Sequence, residues 1–246
     1  LSLFSQNILA YDESEVRMLE ANGDEYAFQF IRSKISDIEI TPAQLALDPC
    51  SASCVVTDVN TGEVRALVTY PSYDNNKFSG TVDAAYYNKL NNDLSLPLFN
   101  NATQAQKAPG STFKPIIAVA ALEEKAVGLT ETITCTGQYG EITPHLRCWI
   151  YPGQHGPLDV EHGIMNSCNV FFAEMGHRLS MDENGSYTPE LGIEKIRKYA
   201  AMFGLDETSG IEISEKPPQM TTEKPEASSI GQGNNSYSNV QLARYI

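Results

Sequence analysis

The residues best equipped for chemistry in this sequence are Ser111 and Lys114, set as Ser-x-x-Lys directly after Ala108-Pro109-Gly110. On a helix, positions i and i+3 share a face, so the hydroxyl and the amine come within reach of each other. A serine hydroxyl is a poor nucleophile until a neighbour takes its proton. Lysine can take it only when uncharged, so its ordinary pKa of about 10.4 must fall by about three units for work near pH 7. The next residues supply that pressure. Ile116 to Leu122 is apolar on nearly every face, and such a helix belongs in the interior, where desolvation disfavours an ammonium. Pro115 lacks an N–H and so belongs in the first turn, which places Ser111 at or beside the helix start. Free N–H groups and the positive dipole end there favour a developing oxyanion. The bland reading of the same residues is a helix cap beside a surface lysine.

A second candidate is Ser167-Cys168-Asn169, which lies just before a run with Phe171, Phe172, Met175 and Leu179 at helical spacing. In an extended or loop segment, residues two apart project to one side. The Ser167 hydroxyl could then relay a proton, and the Asn169 amide could hold a substrate amide by donor and acceptor together. Capping is the alternative use of both residues.

The other reactive side chains say less. Cys50, Cys54, Cys135, Cys148 and Cys168 are too few for a disulfide scaffold, and the odd count leaves one unpaired. Cys50-x3-Cys54 with His145-x2-Cys148 is a weak zinc signal because of the long gap between the pairs. Cys135 with Cys148 is the pairing to expect in an oxidising compartment. His145, His155, His162 and His177 show no ligand spacing and read as structural or exposed, so no metal and no cofactor is expected. Asp48, Asp58 and Asp74 read as turn and capping residues, and Glu123-Glu124 as a solvated helix end.

The elements that must position these residues come next. Glu13–Ile31 reads as a helix with a weak point at Asn22-Gly23, and Thr41-Pro42-Ala43 as a short helical start. Cys54–Asp58 and Glu63–Thr69 flank Asn60-Thr61-Gly62 as a hairpin, and Asp83–Leu90 reads as helical. Cys135–His162 is a Gly- and Pro-rich excursion, Asp182–Pro189 a loop, and Ile193–Phe203 an amphipathic helix. Asp206–Ala227 reads as an exposed connector, and Val240–Ile246 as the start of a helix. The pattern predicts an α+β fold with a central buried helix and an antiparallel sheet.

The 246 residues carry 31 Asp+Glu against 17 Lys+Arg, a net charge of −14. That balance argues against a nucleic-acid partner, which needs a basic face. The longest apolar run is seven residues, far short of the roughly 20 of a membrane span. An anchor or export signal would have to lie outside this chain.

The segment Ala108-Pro109-Gly110-Ser111-Thr112-Phe113-Lys114-Pro115, followed by Ser167-Cys168-Asn169, resembles the penicillin-binding transpeptidases of bacterial cell-wall synthesis. Val55–Asp58, Asn60-Thr61-Gly62 and Ala66–Asn75 are similar to the family's first hairpin and the stretch beyond it. Gly153–Leu158 and Ser229-Ile230-Gly231-Gln232-Gly233 with Gln241-Leu242-Ala243 also resemble family segments. The likeness runs from Asp48 to the C-terminus, so residues 48–246 are expected to form a transpeptidase domain after an unplaced helical segment, 1–47. The resemblance implies a β-lactamase/transpeptidase-like fold and a serine acyltransferase on the extracytoplasmic face of the bacterial membrane. Ser111 would attack the penultimate D-alanine carbonyl of a peptidoglycan stem peptide, with Lys114 as base, Ser167 as relay and Asn169 as the substrate-binding amide. The Ser111 N–H would form half of an oxyanion hole. β-Lactams would acylate Ser111, and other cell-wall synthesis proteins would be partners.

The family's third motif, Lys-Thr/Ser-Gly, occurs nowhere in these residues. The resemblance therefore implies a domain cut before that strand and impaired when alone, because the strand supplies the second oxyanion donor, worth about 10²–10³ in rate. Asn101 stands where arginine is usual, Lys107-Ala108 where an aromatic-proline pair is, and Ser238-Asn239 where Thr-Pro is. Two rivals share the fold. A class D-like β-lactamase also fits Ser-Thr-Phe-Lys but would have an apolar residue in place of Asn169, and a β-lactam-sensing or non-catalytic domain would stay acylated without cross-linking.

Overall fold

The computed structural model describes residues 1–5, 8–40 and 51–246. The chain divides into two compact units, Leu1–Ser53 with Val68–Asn101, and Cys54–Leu67 with Ala102–Ile246.

The first unit opens with α1 (Ser2–Ser5) and α2 (Glu13–Ser36). Asp12 starts α2 by accepting the Ser14 and Glu15 N–H groups, which otherwise lack partners at a helix N-terminus. Gly23 interrupts it at φ +66°, the break its lack of a side chain permits. Leu3, Phe4, Leu9 and Ile40 bury together, with Val16, Leu19, Phe30, Ile31 and Ile35 against them. The helical start expected at Thr41-Pro42-Ala43, Asp48 and Cys50 lie outside the described residues.

The expected hairpin is present as β1 (Ala52–Thr57) and β2 (Val64–Tyr70). Asp58 forms its turn by accepting the N–H groups of Asn60 and Thr61, and Arg65 reaches the same carboxylate. These bonds hold the Asp58 carboxyl below the usual range. Beyond the hairpin, Asp74 caps a single 3₁₀ turn, Asn75–Phe78, and Asp83 caps α3 (Ala84–Asn91).

The second unit is built around α4 (Lys114–Glu123), which packs against α5 (Val160–Met165), α6 (Asn169–Leu179) and α7 (Pro189–Met202). Ile116, Ile117, Ala118, Ala120 and Ala121 are buried around nearly its whole circumference, as the apolar run requires. Each buried isoleucine contributes about 1.5–3 kcal/mol of transfer free energy. The helix ends at Glu124, which was expected to be solvated. Its carboxylate accepts from Lys198 Nζ at 2.8 Å and Tyr199 Oη at 3.0 Å, and Lys198 foremost holds it below the usual carboxylate range. The two α7 residues offset the unfavourable acid at a C-terminus.

Short ladders surround this core. β3 (Gln106–Lys107) pairs antiparallel with β8 (Tyr237–Ser238), β4 (Ile133–Cys135) with β7 (Gly156–Leu158), and β5 (Gln138–Tyr139) with β6 (Leu146–Arg147). The stretch read as a loose excursion is thus stitched by two ladders, and strands of two or three residues carry too little alternation to be seen. Helix α7 begins at Pro189 rather than near Ile193, because a proline suits the first turn even without an apolar residue beside it. The expected exposed connector is also partly interior. Thr221 and Glu226 are buried, and α8 (Pro225–Ser229) packs on α6 at Gly176, where a Cβ would lie 2.5 Å from the Pro225 carbonyl oxygen. The chain continues into α9 (Asn239–Tyr245), begun by a capping box of Ser238 and Gln241.

Candidate active site

Ser111 sits in a 3₁₀ turn, Gly110–Phe113, that runs straight into α4, with Lys114 as the helix's first residue and Pro115 in its first turn. Three contacts fix the turn. Thr112 Oγ1 donates to the Pro109 carbonyl at 2.8 Å, Tyr245 Oη of α9 donates to the Thr112 carbonyl at 3.0 Å, and Gly110 N–H donates to the Gly231 carbonyl at 2.9 Å. Gly231 is required there twice over, since its φ is +72° and a Cβ would stand 1.9 Å from the Gly110 carbonyl oxygen. Phe113 is buried and stacks on Tyr237 at 6.3 Å. The Ser111 side chain itself is exposed, and its hydroxyl has no hydrogen-bond partner among the described residues.

Lys114 is only 2% exposed, and its ammonium points at the second motif. Nζ donates to the Ser167 carbonyl at 2.7 Å, to Ser167 Oγ at 3.1 Å and to Asn169 Oδ1 at 2.7 Å. Three acceptors match the three protons of an ammonium. Burial nonetheless pulls the amine down from 10.5 to about 8, against the opposing influence of Cys168 and Cys148. The amine therefore stands near the boundary between its charged and neutral forms at physiological pH.

The turn that brings Ser167 and Asn169 to one amine is a helix stop followed at once by a helix start. Helix α5 ends with Ser167 N–H donating to the Ile164 carbonyl at 2.9 Å and Cys168 N–H to the Gly163 carbonyl at 3.0 Å, the paired bonds of a Schellman motif. That motif needs a left-handed residue, and Ser167 adopts it at φ +46° where glycine is usual, at a cost of about 1–2 kcal/mol. Cys168 then caps α6, its Sγ accepting the Phe171 N–H at 3.4 Å. Asn169 is the first residue of α6, and its Nδ2 donates to the Arg147 carbonyl at 3.2 Å. The amide is thus held with its oxygen toward Lys114 and its nitrogen toward β6. Ser111, Lys114, Ser167 and Asn169 all belong to the second unit, and the last three meet directly. The sequence reading missed Gly231, Tyr245 and Arg147. A glycine in Gly231-Gln232-Gly233 was visible, but the backbone of Arg147 leaves no signal in residue type.

The cysteines gather differently from either pairing expected of them. Cys135, Cys148 and Cys168 are buried free thiols that converge with His155, one ligand-type atom of each lying within 4.8 Å of the others. Cys54 is exposed, and His145 Nδ1 pairs with Gln138 at 2.6 Å, so the weak zinc signal from Cys54 and His145 does not assemble. His155, read as structural, belongs to the cluster instead.

The α+β fold and a Ser-x-x-Lys turn heading a buried helix define the β-lactamase/transpeptidase-like class. A model of the penicillin-binding protein transpeptidase domain matches residues 52–246, and the chain belongs to that family. It is 33% identical over 172 residues to the peptidoglycan D,D-transpeptidase MrdA of Haemophilus influenzae, a match spanning 69% of this chain and 24% of that protein. A chain from the structure "Structural coordination of polymerization and crosslinking by a peptidoglycan synthase complex" superposes with a TM-score of 0.69 at 28% identity, covering 78% of this chain and 33% of that one. Penicillin-binding protein A of Mycobacterium tuberculosis, solved as a ceftriaxone acyl-enzyme complex, gives a TM-score of 0.65 at 25% identity over 79% of this chain and 43% of its own. The chain spans about a quarter of the length of the curated relative it matches. No helix among the described residues is long and apolar enough to cross a membrane.

Proposed function

We propose that the protein to which this chain belongs is a peptidoglycan D,D-transpeptidase acting through an acyl-enzyme on Ser111. The observation that carries this reading is Lys114 Nζ within 3.1 Å of Ser167 and Asn169 while heading the helix entered from the Ser111 turn. In the proposed reaction the neutral Lys114 amine takes the Ser111 proton as Oγ attacks the penultimate D-alanine carbonyl. The C–O ester bond forms, the peptide C–N bond breaks, and the proton leaves on the terminal D-alanine amine through Ser167. Asn169 holds the amide of the stem peptide. An amine of a neighbouring strand then attacks the ester, forms the cross-linking amide and returns the proton to Ser111. The Ser111 N–H supplies one oxyanion donor.

The named activity of MrdA supports the reaction class, and the ceftriaxone acyl-enzyme of the mycobacterial relative supports β-lactams as substrate mimics. By the same reading the domain works on the extracytoplasmic face of the bacterial membrane, anchored through another part of the protein, with other cell-wall synthesis proteins as partners. The peptidoglycan synthase complex among the structural neighbours supports such partners. The test is incubation of the full-length protein with penicillin, followed by digestion and mass analysis. An adduct on the peptide containing Ser111 that persists is the expected result. An adduct elsewhere, or rapid turnover of nitrocefin, overturns the reading, the latter in favour of a β-lactamase. The 246 residues alone, which carry no Lys-Thr/Ser-Gly, are expected to acylate more slowly than the full-length protein.

The nucleophile turn gives a further prediction. Gly231→Ala places a methyl against the Gly110 carbonyl, so the turn must shift by about an ångström, and misplacement on that scale costs about 10²-fold in rate. The measurement is the rate of fluorescent-penicillin labelling beside the melting curve. Labelling at the parental rate would show that Gly231 does not set the position of Ser111.

A further inference from the structure

Arg147 lends its backbone carbonyl to Asn169, and its side chain has a separate use. The guanidinium lies over the Tyr151 ring, 4.6 Å from the centroid. Arg17, Arg65, Arg178 and Arg244 each pair with an Asp or Glu. Arg147 pairs with none among the described residues, although the chain carries 31 acids. We propose that Arg147 binds a carboxylate on the retained part of the acyl-donor stem peptide and makes the protein selective for donors that carry one. The proposal rests on the acyl-transfer reading of Ser111.

The bonds around Asn169 set the position. Its Oδ1 takes Lys114 Nζ at 2.7 Å, and its Nδ2 reaches the Arg147 carbonyl at 3.2 Å. The line from Lys114 through Asn169 to β6 therefore leads away from the reacting atoms. A donor with its amide on Asn169 places its retained residues along that line, at about 3.3–3.6 Å each. Arg147 and Trp149 are exposed and Cys148 between them is buried, so the first two share the solvent-facing side. Trp149 is tied to the same turn, its Nε1 donating to the Asn166 carbonyl at 2.9 Å. The rest of its indole, 65% exposed, is an apolar flank for the aliphatic part of a peptide.

The chemistry of the pair agrees with the position. Stacking on Tyr151 occupies the guanidinium face and leaves the N–H fork free at its edge, in the geometry that meets a carboxylate with two parallel bonds. Because the ring already holds the plane, less freedom is lost on binding. A cation here also draws an anionic donor toward a chain of net charge −14. Loss of a hydrogen-bonded charge of this kind costs about 10–100-fold in affinity. Two carboxylates of a stem peptide fit the description. One is on the side chain of the residue before the two D-alanines, when that residue is diaminopimelate. The other is the free α-carboxylate of the glutamate before it.

The test follows D-alanine release by the full-length protein from two pairs of synthetic pentapeptides. One pair exchanges diaminopimelate for lysine, which differs by that single carboxyl group, and the other exchanges glutamate for isoglutamine. One of the two exchanges is expected to lower kcat/KM by about 10–100-fold, and it identifies the carboxylate. Arg147→Gln should bring the two members of that pair together, and Arg147→Lys, which keeps the charge but not the fork, should retain part of the difference. A preference undiminished in Arg147→Gln overturns the proposal. So does equal slowing of both members, which would assign the guanidinium to the terminal carboxylate that all donors share. Should the variants not fold, the unmodified protein still decides, since no preference in either pair is equally fatal. Penicillin labelling of the unmodified protein separates the two readings. An adduct on Ser111 without donor preference removes the role of Arg147 and leaves acyl transfer standing, whereas neither adduct nor D-alanine release removes both.

Discussion

Ser111→Ala is expected to abolish covalent uptake of penicillin by the full-length protein while leaving its melting curve in place. The side chain is exposed and its hydroxyl has no hydrogen-bond partner among the described residues, so its removal leaves no buried group unsatisfied. Surface changes of this kind stay within about 0.5 kcal/mol. On the proposed mechanism the chemical loss, by contrast, is total, and the other hydroxyl of the turn, Thr112 Oγ1, is held by its donation to the Pro109 carbonyl. Intact-mass measurement after prolonged incubation checks this. An adduct of parental size on the variant would remove Ser111 from its assigned role. Loss of the melting transition would mean that the hydroxyl is structural after all.

Lys114→Met is expected to carry the next largest effect, a fall of about 10²–10⁴ in the acylation rate, the range for loss of a positioned general base. Methionine fills a similar volume, so the interior is not opened. Two consequences for stability oppose each other. The variant discards a charge that burial disfavours, and it strips the Ser167 carbonyl and Asn169 Oδ1 of their shared donor. Little net change in melting temperature is the expected result, so that rate and stability separate. The pH profile supplies the independent check. A base must be neutral to act, and with the amine lowered to about 8 by burial, acylation should rise with pH through about 8 and level off above it. At pH 7 about a tenth of the molecules have the neutral amine, against about one in 3,000 at the ordinary value of 10.5. The same shift makes the folded protein bind fewer protons than the unfolded chain between about 8 and 10.5, so stability should increase across that window as pH rises. A rate profile flat from pH 6 to 10 would mean that Lys114 does not take the proton.

Residue types alone determined much of this. The apolar run Ile116–Leu122 could only be an interior helix, and Pro115 could only sit in its first turn, so the depth of Lys114 and the start of α4 followed from elementary sterics and desolvation. The hairpin around Asn60-Thr61-Gly62 and the weak point at Gly23 followed from turn chemistry in the same way. These features are local: each is settled by residues within one or two turns of one another.

What lay beyond reach was non-local or carried by the backbone. The left-handed Ser167 occupies a place that glycine would announce, so the Schellman stop that aims Ser167 and Asn169 at one amine had no signature in residue type. Two-residue strands show no period, and Glu124 met its lysine and tyrosine only because α7 folds back against α4. The thiol and imidazole cluster is the extreme case. Its members lack the short paired spacing that would announce them in the sequence, and they meet because the β4–β7 ladder and the α6 cap converge under one turn. Local sterics fix which segments become helices and which residues go inside. Which buried side chains touch is set by how those segments pack, and that is decided only when the whole chain has closed on itself.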